Sequence, residues 1–174
     1  VDVTPNGTNV RTRVHEYGGG AVTFGTTEIF FSDFATQQLC RLVDGTAKPI
    51  TPDDQRFRFA DGVYDETSQT IYCVREDHAN PEPKNVVNEI ASVGLNGGMK
   101  TIASGNDFYA APRLSPNGSS KLAYVTWNHP NMPWDATALS VTNIGAESSC
   151  LTSDHELIAG ADGDTSILQP LWHP

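Results

Sequence analysis

The sequence repeats one pattern of short β-strands and tight turns, and this repetition restricts the fold more than any other feature. In its clearest copy, the period-2 segment Ala111–Ser115 is followed by a turn and a second strand at Lys121–Trp127. A similar pair occurs earlier at Ala60–Asp65 and Thr70–Arg75, and residues 170–174 repeat the pattern of residues 112–116. A four-stranded unit that recurs every ~40 to 50 residues is typical of a β-propeller blade.

We therefore predict an all-β chain that forms a partial β-propeller. It would contain about three four-stranded antiparallel blades, at residues 17–52, 57–104 and 109–152, and the first strand of a fourth at 166–174. The turns Asp44-Gly45 and Asn96-Gly97-Gly98 supply residues that tolerate positive φ between strands. The predicted strands are Ala21–Phe24, Glu28–Ser32, Gln38–Val43, Lys48–Thr51, Ala60–Asp65, Thr70–Arg75, Asn88–Leu95, Met99–Ala103, Ala111–Ser115, Lys121–Trp127, Thr137–Asn143 and Ser149–Thr152.

Blade geometry predicts which strands line the propeller axis. The first strand of each blade is innermost, so we expect Ala21–Phe24, Ala60–Val63, Ala111–Leu114 and Leu168–Leu171 to lie there. The chain opens without Met and its last residues begin a new blade, so we expect it to be a piece of a longer protein. No apolar run is long enough for a transmembrane helix.

Charge and cysteine usage limit the partners and the compartment. The net charge of −10, from 21 acidic and 11 basic residues, argues against nucleic acid and against an anionic membrane. The three cysteines, Cys40, Cys73 and Cys150, lie in apolar strand-like segments without metal-ligand spacing. We expect them to be buried thiols, which fits a cytoplasmic protein.

The connections of the predicted meander are unequal on its two faces. In such a sheet, the connection between the second and third strands emerges on the same face as the connection between blades. Here those segments are the long ones: Glu76–Val87, Asn128–Ala136, Arg13–Gly20, Gly105–Tyr109 and Asp154–Thr165. We expect binding on this face, since long loops on a rigid scaffold usually carry function.

Four segments together resemble the N-terminal β-propeller of prolyl-oligopeptidase-type serine peptidases, most closely the acylaminoacyl-peptidase and dipeptidyl-aminopeptidase-like branch. They are RTRVHEYGGGA at residues 11–21, NVVNEIASVGL at 85–95, DFYAAPRLSPNG at 107–118 and TWNHPNMPWDATAL at 126–139. The resemblance implies a propeller that gates access of short peptides to a C-terminal α/β-hydrolase domain of the same protein, which carries a Ser, Asp, His triad.

The sequence departs from that family in one important respect. It contains no GxSxG motif, so the strand-turn-helix site of the nucleophile is absent and no catalytic residue can be assigned. We therefore expect a non-catalytic segment of a peptidase that needs no cofactor. The alternative is a non-catalytic propeller that binds other proteins, as in TolB-like scaffolds.

The segment His15–Gly20, HEYGGG, is the first candidate binding site. Its glycines let the backbone pass close to a ligand, to the hydrolase domain or to a neighbouring strand. Glu16 and Tyr17 would hold the ammonium group of a peptide through a charge-assisted hydrogen bond. In the alternative interpretation, the glycines fit a crowded strand and Glu16 pairs with Arg11 or Arg13.

The Pro-rich connection between residues 128 and 136 is the second candidate. Trp127, His129, Trp134 and Asp135 form one cluster, of which we predict that His129, Trp134 and Asp135 contact the substrate. Tryptophans on a stiff loop offer rigid amphipathic surface to a peptide or a domain. In the alternative interpretation, the Trp rings fill the base of the loop and Asp135 caps its turn.

Two acidic segments contain potential metal ligands but are predicted to bind no metal. Glu76, Asp77 and His78 would need Glu82 to fold back towards them, and no HxxxH or cysteine ligand supports a site. The stretch with Asp154, Glu156, Asp162 and Asp164 lacks the DxDxDG spacing of a calcium loop. We interpret both as solvated acidic loops.

Overall fold

The structure is a computed structural model that describes residues 2–80, 82–116, 120–144 and 155–173. Twelve short strands account for nearly all of its regular secondary structure. The strands are β1 Val22–Phe24, β2 Ile29–Ser32, β3 Leu39–Val43, β4 Thr46–Pro49, β5 Phe57–Asp65, β6 Thr70–Asp77, β7 Val87–Gly94, β8 Met99–Ser104, β9 Phe108–Leu114, β10 Lys121–Trp127, β11 Ala138–Asn143 and β12 His155–Gly160. The only helical element among these residues is a 3-10 turn at Pro83–Asn85.

The strands form three antiparallel sheets whose strand order follows the chain. They are β1-β2-β3-β4, β5-β6-β7-β8 and β9-β10-β11-β12, hereafter the first, second and third sheets. The first strands β1, β5 and β9 contact one another in succession, as innermost propeller strands do. The predicted fold, an all-β partial propeller of four-stranded blades, is therefore confirmed.

Turn chemistry sets the register of the hairpins. Asp44 and Gly45 have φ of 50° and 69°, and Val43 pairs with Thr46 across a two-residue loop. Both central residues of a type I′ turn need positive φ, which explains the Asp-Gly sequence. Gly97 has φ of 83° in the connection between β7 and β8, as its sequence predicts. The turn predicted between Ala111–Ser115 and Lys121–Trp127 includes residues 117–119, which lie outside the described residues.

The fourth strand of the third sheet differs from the predicted one. Its fourth strand is β12, His155–Gly160, which pairs with β11, whereas the predicted strand Ser149–Thr152 lies outside the described residues. The prediction that Asp154–Thr165 is an inter-blade connection is therefore wrong for residues 155–160. This strand has intermediate or exposed residues throughout. The strand thus lacks the alternation of buried and exposed residues by which a half-buried strand is recognised.

The predicted innermost strand Leu168–Leu171 is not formed, because residues 161–173 are described without any strand. A strand needs a hydrogen-bonded neighbour in its own sheet, and no described strand follows it. The segment is still tied to the third sheet, since Trp172 donates its Nε1 hydrogen to the carbonyl of Arg113 at 2.9 Å. Gln169 has φ of 52°, the same left-handed backbone as Asp61 in β5 and Ala111 in β9.

The second sheet is packed on both faces. Side chains alternate along β6, so Ile71 and Cys73 belong to a cluster with Phe30 and Leu39 of the first sheet. Tyr72 and Val74 point the other way, into a cluster with residues of the third sheet that include Tyr109, Leu122 and Tyr124. Each face of this sheet therefore contributes to a separate core.

The cysteines behave as buried apolar groups where the structure describes them. Cys40 and Cys73 are free thiols and both are buried. Burial raises the pKa of Cys40 to about 11 and that of Cys73 to about 12, so neither is a thiolate at neutral pH. Cys150 lies outside the described residues. No described helix is long and apolar enough to cross a membrane.

The Asp61 carboxylate connects the innermost strands of the three sheets. Its Oδ1 accepts a hydrogen bond from Gly20 N at 2.6 Å, just before β1, and its Oδ2 accepts one from Ala111 N of β9 at 3.4 Å. The backbone N–H of Asp61 also donates to the carbonyl of Gly20 at 2.8 Å. One side chain on β5 therefore ties the sheets on either side to its own.

Replacing Asp61 with alanine should destabilise the chain by about 2 kcal/mol, since it removes charge-assisted hydrogen bonds and leaves alanine at φ of 52°. Asparagine tolerates this backbone and keeps one acceptor oxygen, so Asp61→Asn should lose only about half as much. Urea unfolding of the three proteins measures both losses. Equal stability of Asp61→Ala and the unmodified chain would contradict the role assigned to this carboxylate.

Candidate functional site

The long connections meet on one face of the three sheets. His78, just after β6, donates its backbone N–H to Arg56 in the connection that precedes β5, at 2.8 Å. In the third sheet, His129 N donates to Asp107 Oδ2 at 2.8 Å, which joins the connection after β10 to the one before β9. The inter-sheet and second-to-third-strand connections therefore share a face, as the meander predicts.

The HEYGGG segment forms a compact turn with an unusual backbone. His15 and Glu16 have φ of 55° and 63°, and Gly18 has φ of 94°. Gly18 N donates to the Val14 carbonyl at 2.8 Å, which closes the turn. A left-handed residue other than glycine costs on the order of 1–3 kcal/mol, so two in succession need outside support.

Buried Glu76 and half-buried Arg58 supply that support from the second sheet. Glu76 Oε1 accepts the backbone N–H of His15 at 2.6 Å, and its Oε2 contacts His78 Nε2 at 2.9 Å. Arg58 Nη1 donates to the Arg13 carbonyl at 3.0 Å and lies 3.7 Å from Glu76 Oε2. The turn is therefore fixed by charged groups that lie more than 40 residues away in the chain.

Glu16 forms an ion pair, but with a different arginine from those considered in the sequence. Its Oε1 lies 2.6 Å from Arg58 Nη1, and this hydrogen bond lowers the pKa of the Glu16 carboxyl below its usual value. Arg11 and Arg13 instead lie over the Phe34 ring, at 5.2 and 4.5 Å from its centroid. The prediction that Glu16 pairs with Arg11 or Arg13 is wrong because these guanidinium groups stack on an aromatic face.

The glycines of the segment are explained by the close approach of β5. A Cβ on Gly20 would lie 2.7 Å from Asp61 Oδ1, and one on Gly19 would lie 3.0 Å from the Cβ of Ala60. Such contacts are too short for a side chain to be added without movement. The neighbouring strand, one of the three partners considered for these glycines, therefore approaches them closely.

An aromatic cluster joins the HEYGGG turn to the third sheet. The His15 ring lies 5.4 to 5.6 Å from the rings of Tyr17, Phe108 and Trp127. Phe108 stacks on Trp127 with centroids 5.2 Å apart, and His129 packs on Phe108 at 5.0 Å. Two candidate segments that are more than 100 residues apart in sequence are thus adjacent in space.

The loop after β10 is held by hydrogen bonds at both ends. His129 donates its backbone N–H to Asp107 Oδ2, and its Nδ1 lies 3.0 Å from the same oxygen, which together lower the pKa of Asp107. Asp135 Oδ2 accepts the backbone N–H of Met132 at 2.9 Å. Asp135 therefore caps the turn, as the alternative interpretation predicted, and it presents its neighbour Trp134.

The two tryptophans of this region differ in exposure. Trp127 is 6% exposed and fills the base of the loop, whereas Trp134 is 67% exposed. The alternative interpretation, in which both rings fill the base, is therefore wrong for Trp134. A large ring left in solvent on a tethered loop is available for contact with another molecule.

A cavity of about 240 Å³ opens between the HEYGGG turn and the third sheet. Tyr17, Trp127, Pro133 and Leu168 form much of its wall, together with His15 and Asp61. Of the five candidate residues from the sequence, Tyr17 lines this cavity. His129 and Trp134 lie on the adjoining loop, and Glu16 is held by Arg58. The sequence did not single out Asp61, Arg58 or Phe108.

The two acidic segments do not form a metal site in the described part of the chain. No group of three or more His, Cys, Asp or Glu side chains converges there. Asp77 is bound by the Arg56 guanidinium at 2.6 and 2.7 Å, and Asp162 caps a turn through the N–H groups of Asp164 and Thr165. Asp154 lies outside the described residues.

Burial of the His15 ring should make stability depend on pH. Burial lowers the pKa of His15 below its ordinary value of 6.5, although Glu76 and Asp61 oppose this. The unfolded chain then binds the proton more readily than the folded chain. The contribution of His15 to the free energy of unfolding is therefore fully present above pH 6.5, and it is lost as the pH falls from that value through the pKa of the folded state. The free energy of unfolding, measured with urea at pH 7.5 and at pH 5.5, should differ less between the two pH values for His15→Asn than for the unmodified chain. An identical difference would exclude His15 as the cause.

Comparison with solved structures finds close matches, although no protein-family model and no curated protein matches the chain. The chain aligns with a puromycin-hydrolysing peptidase from Mycobacterium tuberculosis at 30% sequence identity and a TM-score of 0.84. A puromycin hydrolase mutant in complex with PGG aligns at 26% identity and a TM-score of 0.86. A further puromycin hydrolase structure aligns at 25% identity and a TM-score of 0.78.

The matched region is a minor part of each of these proteins. The alignments cover 99%, 99% and 92% of this chain, but only 28%, 29% and 27% of the respective peptidase chains. The chain thus spans less than a third of the length of the proteins that it matches. Puromycin-hydrolysing peptidases are therefore structural neighbours of this chain over part of their length.

Proposed function

We propose that this chain is the substrate-gating propeller segment of a prolyl-oligopeptidase-type serine peptidase that acts on short peptides, and that it is itself non-catalytic. One observation carries the proposal: 99% of the chain superimposes, with a TM-score of 0.84, on 28% of a puromycin-hydrolysing peptidase. A nearly complete match over so small a share of an enzyme supports a role for this chain as one part of a similar enzyme. The work of this chain is to shape access rather than to carry out the reaction.

The sequence supports a division of labour between this segment and a catalytic partner. It contains no GxSxG motif, and acyl transfer needs an activated nucleophile, its base and an oxyanion hole. We infer that an α/β-hydrolase domain of the same parent protein supplies these groups. The face with the long connections would lie towards that domain, because it carries the aromatic cluster and the cavity.

Five residues of this face are proposed to contact the substrate or to hold a contacting residue. Tyr17 and Trp134 are 66% and 67% exposed and offer rings to a peptide. Glu16 is bound to Arg58 through Oε1, so Oε2 can accept the hydrogen bond of a substrate ammonium group. His129 adds an exposed ring beside Phe108, and Asp135 fixes the turn that carries Trp134.

Labelling with a fluorescent phosphonate that reacts with activated serines tests the proposal. The purified chain should neither label nor hydrolyse peptide and ester substrates, whereas the longer protein from the same reading frame should do both. That reading frame should encode GxSxG followed by Asp and His. A frame without these residues, and a longer protein that does not label, would favour the alternative of a TolB-like protein-binding scaffold.

Replacing Glu16 with glutamine tests how the peptidase treats the N-terminus of its substrate. Loss of one charge-assisted hydrogen bond to an ammonium group should lower kcat/KM by about tenfold, or ~1.4 kcal/mol, for peptides with a free N-terminus. N-acetylated peptides should be nearly unaffected. This pattern would indicate a dipeptidyl-peptidase-like preference, whereas an enzyme that cleaves only acetylated peptides would be acylaminoacyl-peptidase-like. Equal losses for both substrates would show that Glu16 acts only through Arg58.

A further inference from the structure

We propose that the cavity between the HEYGGG turn and the third sheet binds an uncharged aromatic side chain of the ligand. As a subsite for a peptide substrate, this assignment rests on the function proposed above. As a binding site for an aromatic ring, it depends only on the groups that line the cavity. The cavity lies beside Tyr17 and Pro133, where the two candidate segments meet.

The wall of the cavity is apolar and aromatic. Ala110, Val125, Pro133 and Leu168 contribute aliphatic surface, and Trp127 contributes its ring. Rings pack favourably edge to face or offset, and the ring contacts at this position already have this geometry, with His15 and Trp127 at 69°. A planar apolar group in the cavity would add a further member to an existing aromatic cluster.

The size of the cavity selects a single side chain. The cavity has a volume of about 240 Å³. Pockets that enclose a whole drug-sized ligand are larger, at about 300–1,000 Å³. One aromatic side chain fits this space, while the backbone and the remaining residues of a peptide would stay outside.

Charge excludes acidic occupants. Asp61 is the carboxylate in the wall, and no lysine or arginine is among the residues that line the described cavity. Burial lowers the pKa of the neighbouring His15, so this ring does not supply a compensating charge at neutral pH. An aspartate or glutamate side chain would meet Asp61 without a cation, whereas a neutral ring has no such cost.

Strand pairing and hydrogen bonds hold the backbone around the cavity, and apolar surface is exposed at its wall. Ala110 and Val125 pair across β9 and β10, and the backbones of His15, Asp61 and Ala111 are held in left-handed conformations by the hydrogen bonds described above. Left-handed residues of this kind concentrate at ligand sites. Tyr17 and Leu168 at the wall are each 66% exposed, which leaves apolar surface that an entering ring would cover.

Titration of the chain with N-acetylated amino acid amides, followed by ¹H–¹⁵N NMR, tests the assignment. N-acetyl-phenylalanine amide should bind about tenfold more tightly than N-acetyl-alanine amide. N-acetyl-aspartate amide should not bind measurably. The shifts that saturate should map to Ala110, Val125 and the indole N–H of Trp127. Equal affinities for the phenylalanine and alanine amides, or shifts that map elsewhere, would overturn the proposal.

Three variants distinguish an effect on the cavity from an effect on the fold. Ala110→Leu adds three carbons to the wall and should abolish binding, whereas Ala79→Leu adds the same atoms at an exposed site in the connection after β6 and should not. Tyr17→Ala should weaken binding about fivefold, because it removes a ring from the wall of the cavity. Unchanged binding by Ala110→Leu would exclude the cavity.

The same titration separates this inference from the proposed function. A chain that binds the phenylalanine amide, in a reading frame that encodes no hydrolase, keeps the aromatic site and loses the peptidase assignment. A longer protein that cleaves peptides without preference for aromatic residues, while the chain fails to bind the amide, keeps the peptidase and loses the site. If the chain binds and the longer protein does not, another segment of that protein fills the cavity and the proposal is wrong.

Discussion

The three sheets depend on how their innermost strands are joined, and the Asp61 carboxylate makes that connection. A propeller sheet is stabilised by packing against its neighbours, but apolar packing has no fixed direction. Hydrogen bonds that Gly20 N and Ala111 N donate to this one carboxylate give the packing a fixed geometry. The same residue lines the cavity, so the geometry of the candidate site and the angle between the sheets are set together.

The strands could be predicted because their signals are local. A period of two in apolar residues indicates a half-buried strand, and Asp44-Gly45 indicates a type I′ turn from two adjacent residues. The buried thiols of Cys40 and Cys73 followed from their apolar neighbours. Such signals need no knowledge of distant residues. They fail where a strand has no buried face, as in His155–Gly160, or no neighbouring strand among the described residues, as in Leu168–Leu171.

The candidate site was only partly predictable because its contacts are distant in sequence. The HEYGGG segment and the loop with Trp134 were recognised by composition, and the meander put them on one face. The partner of Glu16, however, is Arg58, 42 positions away, and the turn is held by Glu76, 61 positions from His15. An acidic residue such as Asp61 within a strand has the same local pattern as a solvated surface residue. Only the packing of two sheets reveals what it binds.

Strand order follows chain order in every sheet. The stability of the molecule therefore comes mainly from contacts between neighbouring strands and between neighbouring sheets. The second sheet has apolar side chains on both faces, and each face is covered by a different sheet. It cannot be left alone in water, and neither outer sheet can separate without exposing one of its faces. The second sheet therefore couples the folding of the three sheets. Loss of packing at the first or the third sheet would expose one face of the second sheet, to which β5 and β6 belong.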